Sequence, residues 1–191
     1  MVYPDSEFIK HGESLITPFD PKRVQPASYD LSLYEELLVP KPVGPTGTRP
    51  VNRVVDLRED NPKKLIESVK IKDRYELIPG ACVLGSTVET VHCPTNAAAR
   101  VEGKSSLGRL FLAVHVTAGF IDPGFNGQVT LEIVNHGPWT VVLWTGMPIA
   151  QINFSTLLYT CDRPYGSPVL DSHYQGQRGP TAAAGERSKK R

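Results

Sequence analysis

Residues 101–135 read VEGKSSLGRLFLAVHVTAGFIDPGFNGQVTLEIVN, and the end of this stretch decides the fold class. In QVTLEIVN, Val129, Leu131 and Ile133 alternate with Gln128, Thr130 and Glu132, the period of a strand with one apolar and one polar face. Just upstream, Gly119, Gly124 and Gly127 surround an Asp122-Pro-Gly turn. The same grammar extends outward in both directions. Strands are predicted at 75–78, 81–87, 89–92, 110–116, 127–135, 140–143 and 149–157, each bounded by Gly, Pro or Asn. Short strands at this spacing predict a mainly β fold of the sandwich or jelly-roll kind.

Toward the N-terminus, residues 5–15 predict a short helix capped by Asp5 or Ser6, with Phe8, Ile9 and Leu15 as its apolar side. Tyr29, Leu31 and Leu33 alternate against Asp30 and Ser32 in a further strand. Residues 40–62 hold five prolines and two glycines among charges and read as a surface excursion, with one short strand at 53–57. A single domain is expected over 1–179, with 180–191 a flexible tail ending in a solvated SKKR run.

Composition removes several classes. Seventeen prolines in 191 residues exclude a helical bundle, and the sixteen glycines follow no collagen period. Twenty-one basic against twenty acidic residues leave a net charge of +1, which provides no global attraction to nucleic acid or an anionic membrane. No apolar run approaches the roughly 20 residues of a membrane span. The acidic N-terminus lacks the apolar core of a signal peptide. Cys82, Cys93 and Cys161 are odd in number and form no CxxC, the pattern of a reduced, cytoplasmic chain.

Three pieces of the central block carry chemistry. GKSSLGR groups Lys104, Ser105, Ser106 and Arg109 between Gly103 and Gly108; it suits either a phosphate or a solvated turn with a serine cap, and it is not a P-loop. Asp122 serves either a β-turn or a sugar hydroxyl or water. Glu132 stands mid-strand, where Glu is depleted: it is either a solvent-facing acid or, if that face is covered, a carboxylate able to exchange a proton with water.

Together, RVEGKSSLGRL at 100–110, HVTAGFIDPGFNGQVTLEIVN at 115–135 and GMPIAQINF at 146–154 resemble the dCTP deaminase family of the dUTPase-like superfamily. Weaker agreement runs through VQPASYDLSL at 24–33, YELIPGACVLGST at 75–87, PYG at 164–166 and YQGQRGPT at 174–181; the 40–70 region is least alike. The resemblance implies a distorted jelly roll (a dUTPase-like β-clip) with a short N-terminal helix and a C-terminal closing tail. It implies a homotrimer whose active sites are shared between chains, and dCTP or dUTP as partner. Glu132 would activate the water that attacks cytosine C4, with Arg109 and Ser105 completing the catalytic set. Lys104, Ser105 and Ser106, with Leu107, Gly108 and Arg109, would form the nucleotide and phosphate loop. Asp122 would hold the deoxyribose 3′-hydroxyl, and Thr130, Leu131 and Glu132 would read the pyrimidine edge. Gln151, Tyr165, His173 and Gln177 would contact or close over the triphosphate. Mg²⁺ would accompany the phosphates, and zinc would take no part. Gly119 and Phe120 resemble the bifunctional type, which releases dUMP, ammonia and pyrophosphate.

The sequence departs from the family pattern at two positions. His173 stands where Lys or Arg is usual, and a neutral imidazole holds phosphate less well than an ammonium. Phe111 stands where Gly is usual. Alternative readings are a deaminase that stops at dUTP, a dUTP diphosphatase, whose closing motif normally carries a Phe that is missing here, and a non-catalytic nucleotide-binding relative. A zinc deaminase would need H-x-E followed by P-C-x-x-C, and the lone His92–Cys93 pair does not supply it. His115 reads as a core or interface histidine, and Trp139 and Trp144 as packing residues.

Overall fold

The alternation at 128–133 becomes part of β11 (Asn126–Asn135), a strand between two neighbours in a six-stranded sheet, with one side chain in two buried and the next half-buried. The computed structural model describes residues 1–41, 55–58 and 60–184. Its elements are α1 (Asp5–Leu15), β1 (Ile16–Thr17), β2 (Val24–Gln25), β3 (Ser28–Ser32), β4 (Glu36–Pro40), β5 (Ile66–Lys70), β6 (Tyr75–Leu77), β7 (Cys82–His92), β8 (Ala97–Gly103), α2 (Ser105–Gly108), β9 (Leu112–Ala113), β10 (Phe120–Ile121), β11 (Asn126–Asn135), β12 (Val141–Leu143) and β13 (Pro148–Thr156). One antiparallel sheet runs β5-β4-β7-β11-β9 with β1 also on β7; a second runs β10-β8-β13-β3-β2; β12 and β6 form a ribbon. The apolar faces of both sheets close on one core in which Leu31, Leu33, Leu37, Ile133, Ile149, Ile152 and Phe154 are wholly buried. Each such side chain contributes about 1.5–3 kcal/mol relative to exposure, and this is the main force joining the sheets. Among the described residues no helix is long and apolar enough to cross a membrane.

The architecture is mainly β, as expected, with differences in detail. The helix forms at 5–15, but its N-cap is Pro4, already extended, and Asp5 instead accepts a hydrogen bond from the Ser6 N–H at 2.8 Å. Ile9 is 60% exposed, whereas Phe8, Gly12 and Leu15 are buried. At 100° per residue these three share a face that Ile9 leaves. The strands expected at 81–87 and 89–92 are one strand, β7, with an irregularity against β11. The strand expected at 110–116 shrinks to β9 because Phe111 adopts φ +62° and residues 114–119 turn away. GKSSLGR is not a loop throughout: α2 forms within it. Residues 53–54 of the strand expected at 53–57 lie outside the described residues, and 55–57 are not strand. Strands β4, β5 and β8, and the two-residue strands β1, β2 and β10, lie outside the predicted strands. The tail expected at 180–191 is packed at its start: Pro180 and Ala182 are buried, and the Thr181 N–H donates to Thr130 Oγ1 at 3.1 Å. Residues 185–191 lie outside the described residues.

Candidate active site

Strand alternation sends Gln128, Thr130 and Glu132 to the face away from the core, and the chain then covers that face with its own later segments. Glu132 borders a cavity of about 380 Å³ whose walls include Phe120, Asp122, Thr130, Tyr165 and Gln177, a volume suited to a small organic ligand. Oε2 of Glu132 accepts hydrogen bonds from the Val116 N–H at 2.6 Å and the Thr117 N–H at 3.4 Å. Two donors on one oxygen hold the carboxylate plane in place, and Oε1 accepts none from the described residues. The 114–119 turn that shortened β9 is therefore what positions Glu132.

The tail closes the other side. The Gln128 N–H donates to the Gln177 carbonyl at 3.0 Å, and Gln177 Nε2 donates to the Gln128 carbonyl at 2.6 Å. The Gly176 N–H reaches the Asn126 carbonyl at 2.7 Å, and the Ala184 N–H reaches the Tyr174 hydroxyl at 3.0 Å. The tail thus lies along the β11 edge at 126–128, while β9 pairs the same edge at Val134 and Asn135. Backbone groups of a strand alternate sides, so the N–H and C=O of Thr130 and Glu132 point to the uncovered edge between them. This gap presents donors and acceptors beside the Glu132 carboxylate, the kind of edge that can read a planar base. Leu131 is different: its side chain is buried in the core and its backbone pairs toward Gly85 of β7.

Asp122 reaches the cavity from an exposed turn closed by the Phe125 N–H donating to its carbonyl at 3.1 Å. Gly124 follows at φ +89°, and a Cβ there would lie 2.6 Å from Pro164 Cβ, so the turn and Tyr165 approach as closely as they do only with glycine. Tyr165 packs on Phe125 with ring centroids 5.8 Å apart and accepts from the Tyr174 N–H at 3.0 Å. Phe120 is half exposed at the cavity wall with the Arg100 guanidinium 5.4 Å from its ring centroid. Gly119 sits behind it, where a Cβ would meet the Val101 carbonyl oxygen at 2.8 Å and the His115 ring at 3.3 Å. His115 lies in the turn and not in a strand; its Nε2 is 3.6 Å from Glu102 Oε2.

The other expected residues stand apart from this cavity. Ser105, Ser106, Gly108 and Arg109 are exposed on and after α2, and Leu107 is the helix's buried anchor. Lys104 is not free: its ammonium is 2.5 Å from Asp30 Oδ2, both partly buried. Gln151 lies beside this pair, accepting from the Ser28 hydroxyl at 3.2 Å and donating to the Gly103 carbonyl at 3.3 Å. His173 lines a separate cavity of about 540 Å³ with Arg58 and Lys63. Cys93 is a buried structural thiol, pushed up to about 12 chiefly by burial and then by Asp122, and His92 Nε2 meets the Thr17 hydroxyl at 3.1 Å. Among the described residues no three His, Cys, Asp or Glu side chains gather as a metal site. Missed by the sequence reading were Val116 and Thr117, whose contribution is backbone N–H, and Gln128, whose strand position read only as polar.

The fold is that of the dCTP deaminases: a solved 2′-deoxycytidine 5′-triphosphate deaminase from Agrobacterium tumefaciens superposes with a TM-score of 0.62 at 23% identity, over 81% of this chain and 47% of that one. The chain spans about half the length of that solved protein. Sequence comparison is more specific. A dCTP deaminase-like family model matches residues 6–157. Proteins named dCTP deaminase, dUMP-forming, are 47% identical in Beutenbergia cavernae, over 92% of this chain and 88% of the relative, and 46% identical in Clavibacter michiganensis subsp. michiganensis, over 90% and 83%. The chain belongs to the dCTP deaminase-like family.

Proposed function

We propose that this chain is a dUMP-forming dCTP deaminase, hydrolysing one dCTP with two waters to dUMP, ammonia and pyrophosphate. The observation that carries the reading is Glu132, pinned through one oxygen by the Val116 and Thr117 N–H groups in a cavity beside an open strand edge. The other carboxylate oxygen removes a proton from water as it attacks cytosine C4, and the proton then goes to the departing ammonia. The Thr130–Glu132 backbone orients the pyrimidine, and Asp122 takes the 3′-hydroxyl. Gly119 and Phe120, and the dUMP-forming name of relatives at 46–47% identity, support the bifunctional product.

No Lys or Arg lines the cavity within the chain's described residues, yet a triphosphate brings about four negative charges. Ser105, Ser106 and Arg109 instead stand exposed on α2, available to another copy. A homotrimer in which a neighbour's α2 completes each site resolves this, with Tyr165 and Gln177 closing over the nucleotide. The donor set does not fit a protein-held metal, so Mg²⁺ would travel on the phosphate oxygens and neutralise their charge. The test is product analysis on dCTP and dUTP separately. Ammonia, pyrophosphate and dUMP in equal amounts from dCTP are expected. Accumulating dUTP, or pyrophosphate from dUTP with dCTP untouched, would overturn the assignment.

A further inference from the structure

Gln128 stands where an irregularity of β7 meets the closing tail, and it lines neither cavity described above. Gln128 pairs with Thr90 of β7, whereas Thr130 pairs with Ser86, so residues 87–89 bulge opposite Val129 alone. Thr87 fills the gap: its buried hydroxyl accepts from the Val129 N–H at 2.9 Å and donates to the Glu89 carbonyl at 2.7 Å. The Glu89 carboxylate is held by Arg23 Nη1 and by the Ser32 N–H, each at 2.9 Å, and Arg23 also bonds the Ser32 hydroxyl, tying the bulge to the opposite sheet. The bulge presents the Val88 carbonyl to Gln128 Nε2 at 3.0 Å. The other end of the same carboxamide, Oε1, accepts from the Gly179 N–H at 2.5 Å. Glutamine is suited to this place because one rigid amide both donates and accepts.

We propose that Gln128 is a positioning residue: its carboxamide, braced on the β7 bulge, latches the tail closed and sets how firmly the nucleotide is retained without touching it. The kinetic part rests on the dCTP-hydrolysing reading; the latch itself does not. Gln128→Met keeps the length and removes both donor and acceptor. Gln128→Glu keeps an acceptor for Gly179 but, ionised, has no donor for Val88. Amide hydrogen exchange across residues 174–184, measured without nucleotide, should be roughly tenfold faster in Gln128→Met, the scale of one or two lost hydrogen bonds, and intermediate in Gln128→Glu. The KM for dCTP should rise by about five- to tenfold in Gln128→Met with kcat within about twofold. Unchanged tail exchange overturns the latch. Faster exchange with an unchanged KM, or a fall in kcat alone, overturns its role in retention. If Gln128→Met does not fold, Gln128→Glu carries both measurements. A wild-type chain inert toward dCTP would remove the functional reading while leaving the exchange result standing.

Discussion

Replacing Glu132 with glutamine should abolish turnover while leaving the site assembled. The carboxamide oxygen can still accept from the Val116 and Thr117 N–H groups, now at 2.6 and 3.4 Å, so the 114–119 turn keeps its anchor. What disappears is the base. General-base catalysis is worth about 10²–10⁴ in rate, and each tenfold is about 1.4 kcal/mol, so the barrier should rise by roughly 3–6 kcal/mol. The expected result is a kcat for ammonia release lower by about 10³, a KM for dCTP within about threefold and a thermal midpoint within a few degrees. Glu132→Ala is the contrast. It removes the acceptor for two exposed backbone donors, costs about 1 kcal/mol as water takes over, and frees the turn, so KM should also suffer. A Glu132→Gln enzyme keeping more than a tenth of wild-type kcat would refute the assignment of Glu132 as base.

Glu89 is 2% exposed, and burial raises its pKa above the usual 4.5, against the lowering effect of Ser32, its own backbone and Arg23. A raised folded value means the folded state holds the proton more tightly, so this contribution is full below about pH 4.5 and is lost as pH rises through the folded value. The melting temperature of wild type minus that of Glu89→Gln should therefore rise as pH falls from 7 to 4; a signed difference that falls in acid would show that the Arg23 pair outweighs burial. Phe111 pays for φ +62° but stacks on Trp139 at 6.3 Å. Left-handed backbone costs a non-glycine residue about 1–2 kcal/mol, so urea unfolding should find Phe111→Gly more stable than Phe111→Ala by about 1 kcal/mol. The reverse order would mean that the strain is not borne there. Gly119→Ala puts a Cβ against the Val101 carbonyl at 2.8 Å and should cost about 1–3 kcal/mol in thermal unfolding. Because the same turn holds Glu132, kcat should fall about tenfold, and a fully active variant would argue that the turn is free to adjust.

Legibility followed the range of the interaction. The polar and apolar faces of β11 were readable because neighbouring side chains alternate whatever surrounds them. The helix at 5–15 was readable in extent, and Phe8 and Leu15 lie on its buried side as expected; Ile9 does not, because it stands 100° from Phe8 and leaves the face that packs on Tyr29 and Phe154. β8 was missed because Ala97, Ala98 and Ala99 have little strand preference of their own; pairing with β10 and β13 makes them strand. At position 111 the positive φ is one that glycine would adopt without strain, a requirement that no local sequence pattern signals.

The chain's own order of residues was enough for the class of fold, the turn around Asp122 and the placement of Glu132 on a polar strand face, because these depend on residues a few positions apart. Other features required the folded chain. The tail contacts join residues 49 and 51 positions apart, and the Arg23–Glu89 pair joins residues 66 apart. No local period encodes such meetings. For the same reason only the tertiary structure separates the Lys104–Arg109 cations from the Glu132 cavity, tethers Lys104 to Asp30 and places His173 elsewhere.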